Sequence, residues 1–308
     1  MPDPILVLGA GGFIGRNLIR SLAERGMPVL AASRSGGDTD HALIERVIGD
    51  FREPGQLEPL LRRSRAVVHL ATTSTPGTSA ARPLHEIETN LHLTAALLQA
   101  LHGHPQVDLL YLSSGGSLYA DTTTEPSSES AQLQPRSYHG AAKLAAESFI
   151  AAWCSQSGGK ATILRPSNVY GPGQPEREGF GVIPAAFGTM LRDEVLHVWG
   201  DGSARRDYVY IGDLIELCTL ALTMPMPAGV RTFNACSGTS VSLNELLAIM
   251  ESVTGKSLQR NYDPGRAVDA SCIAMDPALA AQAYGWHHQT PLEAGLRLTW
   301  EQFRRAVR

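Results

Sequence analysis

The chain has little that would tie it to a membrane, a nucleic acid or a metal. Its 308 residues include only four cysteines, Cys154, Cys218, Cys236 and Cys272, far apart and with no C-x-x-C pair. That spacing excludes a disulfide framework and a thiolate metal site, and it predicts buried, reduced thiols. No apolar run approaches the roughly 18 residues that a membrane span requires. An excess of one charge is also missing: 26 Lys and Arg face 30 Asp and Glu, a net charge of −4. No basic footprint for nucleic acid or anionic lipid follows from that balance. Internal repeats and low-complexity tracts are absent as well. A strand-like run begins at Ile5, which predicts that no leader precedes the fold. The expectation is a cytoplasmic globular protein with one large core, or a large domain carrying a smaller one.

What is present starts with Ile5-Leu6-Val7-Leu8, then Gly9-Ala10-Gly11-Gly12-Phe13-Ile14-Gly15, then a helical pattern through Asn17–Leu22. Glycine permits a tight turn and a close backbone approach, and a helix N-terminus offers partial positive charge. Strand, glycine turn and helix in that order form a phosphate cradle, with Gly9, Gly12 and Gly15 spaced as a variant of the dinucleotide fingerprint. A turn with no ligand is the plain alternative. The position at the head of a βαβ series decides for the cradle.

Strand-like runs recur at Pro28–Ala32, Ala66–Ala71, Val107–Ser113 and Ala161–Arg165, with helical segments between them. Near-continuous apolar strands alternating with helices predict a parallel sheet covered on both faces, with ligands at the strands' C-terminal edge. A helix around 87–101 is apolar at Leu91, Ala95, Leu98 and Leu101. A second, around 141–153, is apolar at Leu144, Ala145, Phe149, Ala152 and Trp153. Both stripes read as core or dimer faces. After about residue 170, loops such as Gly171-Pro172-Gly173-Gln174-Pro175 interrupt short elements. Residues 1–170 are therefore expected mainly in one domain and 171–308 mainly in a smaller one, with interleaved segments. Glu125–Gln134 is polar and reads as an exposed loop.

Several motifs occur in a telling order: Gly9–Gly15, His69-Leu70-Ala71, Asn90, Ser113–Tyr119, Lys143–Glu147, Leu164–Pro172, Gly200-Asp201-Gly202, Arg206–Tyr210 and Pro291–Leu296. Together they resemble the extended short-chain dehydrogenase/reductases, especially the NAD-dependent epimerase/dehydratase family. The resemblance implies an α/β fold: a Rossmann doubly wound parallel sheet plus a smaller C-terminal α/β domain for a nucleotide sugar. It implies hydride transfer at a sugar carbon, commonly C4, by epimerisation or by reduction of a keto-sugar. It also implies a homodimer built as a four-helix bundle from the helices near 87–101 and 141–153. The rival expectation is a non-catalytic or regulatory NAD(P)-binding protein of the same fold.

Carried over residue by residue, the resemblance places Gly9, Gly12, Phe13, Ile14, Gly15, Leu70, Ala71, Thr72, Lys143 and Pro166 at the cofactor. It gives Asp50 and Phe51 an adenine contact, with a turn cap as the alternative for Asp50. At the end of the second strand a carboxylate would hold a ribose 2′-hydroxyl, yet the chain has Ser33-Arg34-Ser35. A hydroxyl beside a guanidinium suits the 2′-phosphate of NADP. NAD beside a solvated Arg34 is the alternative.

The family's chemistry needs a Tyr four residues before the Lys, and a Ser or Thr at the reacting oxygen. Four before Lys143 stands His139, and Tyr138 is five before. At about 100° per residue, positions four apart share a helix face and positions five apart diverge by roughly 140°. If the helix already runs at 138, His139 shares the face of Lys143; if not, Tyr138 can swing in. His139 suits acid/base work near neutral pH. Altered or lost redox chemistry is the third possibility. The hydroxyl position falls on Gly115; Ser114 and Ser117 flank it, and along a strand Ser117 would share the face of residue 115. On the substrate side the resemblance places Asn168 and Arg206 at a diphosphate, with Arg205 in solvent. Arg266, after Asp263-Pro264-Gly265, is a second clamp, and Ser74 and Ser114 are sugar contacts.

Overall fold

The structure is a computed structural model that describes residues 3–36, 40–75, 77–122, 125–177, 180–225, 227–265 and 270–306. The chain folds as two units. The first comprises Met1–Ser114, Tyr138–Arg165 and Ile215–Phe233; the second comprises Gly115–Ser137, Pro166–Leu214 and Asn234–Arg308. Their segments interleave along the chain on both sides of residue 170.

The first unit opens with β1 (Ile5–Leu8), α1 (Phe13–Glu24), β2 (Val29–Ser33), β3 (Ile44–Ile48), α2 (Pro54–Leu61) and β4 (Ala66–His69). A continuous helical path follows: α3 (Pro83–Glu86), a π-helical turn (Ile87–Leu91) and α4 (His92–Leu101). Then come β5 (Asp108–Leu112), a short α5 (Gly115–Leu118) that belongs to the second unit, α6 (Tyr138–Ser157) and β6 (Lys160–Pro166). The expected helix at 87–101 therefore starts earlier, at Pro83, a residue suited to a first turn. Likewise α6 extends past 141–153 at both ends.

Strand β1 pairs in parallel with β2 and β4, β2 with β3, β4 with β5, and β5 with β6. The chain moves outward from β1 to β3, then returns to β4 on the other side of β1. That reversal is the switch point at which doubly wound sheets bind ligands, beyond the strands' C-terminal ends. A later strand, Gly229–Ala235, lies outside β6 at the sheet's edge.

Residues Leu18, Ile19 and Leu22 of α1 are buried. Each such side chain contributes about 1.5–3 kcal/mol relative to exposure. A separate core cluster takes Leu6 and Leu8 from β1, Leu97 and Leu101 from α4, and Ile150 and Trp153 from α6.

The buried face of α6 departs from the apolar stripe of the sequence. It consists of His139, Lys143, Ala146, Glu147, Ile150, Trp153 and Cys154, while Phe149 and Ala152 are exposed. Polar groups thus occupy the inward positions at helical spacing, which apolar patterning misassigns. Glu147 is fixed there by the buried Arg165, whose Nε and Nη2 donate to its two carboxylate oxygens at 3.0 and 2.6 Å.

In the second unit β7 (Asn168–Tyr170) runs beside β9 (Arg205–Tyr210), and β8 (Val195–Trp199) beside the strand Gln259–Asp263. Its core gathers Tyr170, Phe187, Met250 and Trp300. Among the free cysteines Cys154, Cys218 and Cys236 are buried, whereas Cys272 is only half-buried. Among the described residues no helix is long and apolar enough to cross a membrane.

Candidate active site

The turn between β1 and α1 closes on its own backbone. The Gly12 N–H donates to Gly9 O at 3.0 Å. Gly9 holds a φ of +90°, and a Cβ there would stand 2.7 Å from Ala71 N. A Cβ on Gly15 would overlap Gly9 O. Neither position admits a side chain, so the loop stays a bare main-chain surface. Gly12 caps α1 without a side-chain bond, and no acid stands in the first turn. The positive end of the helix is left to an external anion, and the residues fit a dinucleotide pyrophosphate. Phe13 is buried and Ile14 half-buried.

Around the same sheet edge, Ser33 Oγ donates to Ser35 O at 2.6 Å, and Arg34 is exposed. Asp50 is already engaged: Arg52 Nε reaches its two oxygens at 2.9 and 3.0 Å. Those bonds, with added attraction from Arg34, hold its carboxyl below the usual range. Phe51 is buried. After β4, Leu70 N donates to Leu8 O at 3.0 Å, Ala71 is half-buried and Thr72 exposed.

The helix α6 begins at Tyr138, which settles the geometric question that the sequence left open. His139, one turn before Lys143, shares its buried face; Tyr138 is 48% exposed and points away. Lys143 Nζ donates to Leu112 O at 2.7 Å at the end of β5 and lies 4.8 Å from the centre of the Tyr111 ring. Burial pushes Lys143 down to about 8, against the opposing pull of Glu147 and Glu86.

The buried His139 ends a chain of hydrogen bonds. Its Nδ1 stands 3.0 Å from Ser74 Oγ, and its backbone N–H donates to Ser79 Oγ at 3.3 Å. Asn90 Nδ2 donates to Ser74 Oγ at 2.9 Å and to Glu86 Oε2 at 2.7 Å. Asn90 Oδ1 accepts the Thr73 N–H at 2.9 Å. Burial, then the Lys143 charge, push His139 down to about 3, so the ring is neutral at physiological pH. The same two causes act on His69 beneath, whose Nε2 lies 3.0 Å from Thr94 Oγ1. Ala71, Thr72, Glu86, Asn90, His139 and Lys143 line one small cleft of the first unit. Glu86 and Thr94 were not singled out by sequence, and His69 entered only as part of the His69-Leu70-Ala71 motif, with no role at the site. The four-residue steps from Glu86 to Asn90 to Thr94 were the available signal.

Other expected site residues fall elsewhere. Strand β5 ends at Leu112, and Gly115–Leu118 is a helical turn. Ser117 and residue 115 therefore do not share a strand face, which removes the geometric ground for placing Ser117 at the reacting oxygen. Ser114 and Ser117 are both half-buried. Pro166 is buried at the end of β6. In the second unit, the exposed Asn168 donates from Nδ2 to Asp207 O at 2.9 Å. Arg206 Nη1 donates to Arg205 O at 2.8 Å. Arg205 is not a plain solvent charge: it donates to Ser240 O at 2.6 Å and pairs with Glu245 at 3.0 Å. Arg266 lies outside the described residues.

Known proteins resemble this chain along almost its whole length. A dTDP-4-dehydro-6-deoxyglucose reductase of Escherichia coli is 27% identical over 304 residues, covering 95% of each chain. The crystal structure of UDP-glucose 4-epimerase from Thermotoga maritima, with UDP-glucose, matches at a TM-score of 0.92 and 29% identity, over 99% of this chain and 100% of that one. The UDP-glucose 4-epimerase of Thermus thermophilus in complex with NAD matches at 0.90 and 27%, over 98% and 99%. Residues 5–236, from β1 through the sheet's last edge strand, fit the sequence profile of the NAD dependent epimerase/dehydratase family, and the chain belongs to that family.

Proposed function

We propose that the chain is an NAD(P)-dependent nucleotide-sugar enzyme that works at a sugar carbon, C4 by analogy with its relatives, as a keto-sugar reductase or an epimerase. When bound, the nicotinamide supplies or accepts hydride. The first unit holds the cofactor on the Gly9–Gly15 turn, and the second unit holds the nucleotide diphosphate through Asn168 and Arg206. Lys143 orients the nicotinamide ribose and, with its acidity raised by burial, carries an exchangeable proton near neutral pH. His139 stands at the reacting oxygen in the place of the missing tyrosine. The observation that carries this reading is the pairing of His139 and Lys143 on one buried face of α6, lining one cleft. Ser33 and Arg34, with no carboxylate at the end of β2, favour NADP. Exposed Leu84, Ile87 and Phe149 on the α3 path and α6 support a homodimer through these helices.

The test is turnover of a panel of UDP- and dTDP-linked sugars and keto-sugars with each pyridine nucleotide. His139→Phe is expected to lose about 10²–10⁴-fold in kcat, the usual weight of a proton-handling group. Tyr138→Phe is expected to match the unaltered chain. Loss with Tyr138→Phe alone overturns the assignment. Tight cofactor binding with no turnover of any sugar supports the non-catalytic alternative.

A further inference from the structure

We infer that Ser74 and Asn90 lock the His139 ring as the tautomer with hydrogen on Nε2, so that it meets a substrate oxygen only as a hydrogen-bond donor, and that the substrate class is a nucleotide sugar bearing a ketone. This rests on the reading of His139 as the group at the reacting oxygen.

The lock follows from counting hydrogens. The Thr73 backbone N–H can only donate, so the Asn90 atom that it meets at 2.9 Å is the carbonyl oxygen. The Asn90 amide nitrogen therefore faces Ser74 and Glu86, and its two hydrogens are used on Ser74 Oγ and Glu86 Oε2. Ser74 Oγ is already an acceptor. The acceptor that remains for its own hydrogen, among the described residues, is His139 Nδ1 at 3.0 Å. Nδ1 thus presents its lone pair to Ser74, and in the neutral ring the hydrogen sits on Nε2. The opposite tautomer would give Ser74 Oγ two incoming hydrogens and leave its own, in a residue only 5% exposed, without an acceptor.

Charges around the ring agree with a neutral form. Lys143 lies on the same helix face, with Glu147 one turn further. Glu86 faces the cleft from α3, and its Oε1 is buried without a partner among the described residues. His69 and Tyr111, from β4 and β5, are neutral neighbours of Lys143. An imidazolium would need Nδ1–H against Ser74, the arrangement that Asn90 opposes, beside the Lys143 ammonium.

A neutral Nε2–H has one use at the substrate. It donates to an oxygen that gains negative charge, as a carbonyl would when hydride from the bound cofactor reaches its carbon; the alkoxide so formed would take its proton from the Lys143 ammonium in the same cleft, which regains one from solvent. It has no lone pair at Nε2 with which to remove a proton from a hydroxyl. A 4-keto sugar meets the donor productively, whereas a sugar carrying a C4 hydroxyl finds no base at His139. Ser74 and Asn90 are positioning residues for that donor.

The experiment uses the full-length protein labelled with ¹⁵N-histidine. Long-range ¹H–¹⁵N spectra report the two ring nitrogens, and the spectrum of His139→Gln identifies the signals of His139. The expected result is a protonated Nε2 and an unprotonated Nδ1, unchanged from pH 8 to pH 5. An Nδ1–H ring, an imidazolium or an even mixture at pH 7 overturns the inference. Ser74→Ala is expected to mix the tautomers and lower kcat on a keto-sugar by about ten-fold, with KM for the nucleotide unchanged. Ser74→Thr is expected to restore both. Interconversion of C4 hydroxyl epimers at a rate matching ketone reduction also overturns it. If His139→Phe leaves turnover intact while the spectra show the locked ring, the catalytic reading has failed and the lock stands. An essential His139 with a mixed ring is the reverse case.

Discussion

Two sites in the first unit, the glycine turn after β1 and the start of α6, are made of different materials. The turn is main chain: its shape comes from residues that lack side chains, all within seven positions. The α6 site is side chain: His139 depends on Ser74, Asn90 and Glu86, which lie some fifty to sixty-five positions upstream on other elements. A main-chain site survives changes in almost every neighbour but not the gain of one methyl group. A side-chain array has the opposite sensitivity, because it resides in which hydrogen goes where.

Four measurements sharpen that contrast. The largest effect is expected for Glu147→Ala, which strands the buried Arg165 guanidinium. A loss of about 3–5 kcal/mol in urea unfolding is expected, and a loss below about 1 kcal/mol would mean that the pair is not what secures α6 to β6. Gly15→Ala comes next. The added methyl overlaps Gly9 O, so a cost of about 1–3 kcal/mol and a weakened heat of nucleotide binding by calorimetry are expected. Unchanged binding would show that the turn yields more than its packing implies.

Acid provides the third. His69 and His139 titrate near 6.5 when unfolded and near 3 when folded. Below pH 6.5 the unfolded chain therefore binds the extra protons, and stability falls as pH drops toward 3. The slope is up to about 1.4 kcal/mol per pH unit for each ring. Urea midpoints measured at intervals from pH 7 to pH 4 check this, and His69→Gln should flatten the curve. Tyr138→Phe is the smallest: with its ring exposed, it should stay within about 0.5 kcal/mol of the parent. A larger change would return Tyr138 to the site.

The same contrast explains what the sequence disclosed. Five of the seven parallel-sheet strands and the glycine cradle were legible because each is a local pattern with a physical reason attached, whereas the edge strands Ile44–Ile48 and Gly229–Ala235 were not counted in the sheet. The face that His139 shares with Lys143 was legible too, through simple helical spacing once the helix is known to run at residue 138. The face of α6 was not, because it turns Lys143 and Glu147 inward and Phe149 outward, inverting the apolar rule. Ser117 was misjudged because Gly115–Leu118 curls into a helical turn where a strand was assumed. Glu86 escaped notice because an isolated acidic residue on an amphipathic helix ordinarily faces water, and the half-buried Asn90 amide that donates to it is not visible from composition.

The wide turn at Ile87–Leu91 adds a dependence on chain length. In ordinary α-helix, residues four apart drift by about 40° around the axis, so Glu86, Asn90 and Thr94 would fan out; the looser winding takes up part of that drift. Deleting one residue there should restore regular winding and swing Glu86 by about 100° relative to α4. His139 would then lose its orientation although no residue that touches it had changed, so homologues that differ by one position in this helix can differ in chemistry while keeping every recognisable motif.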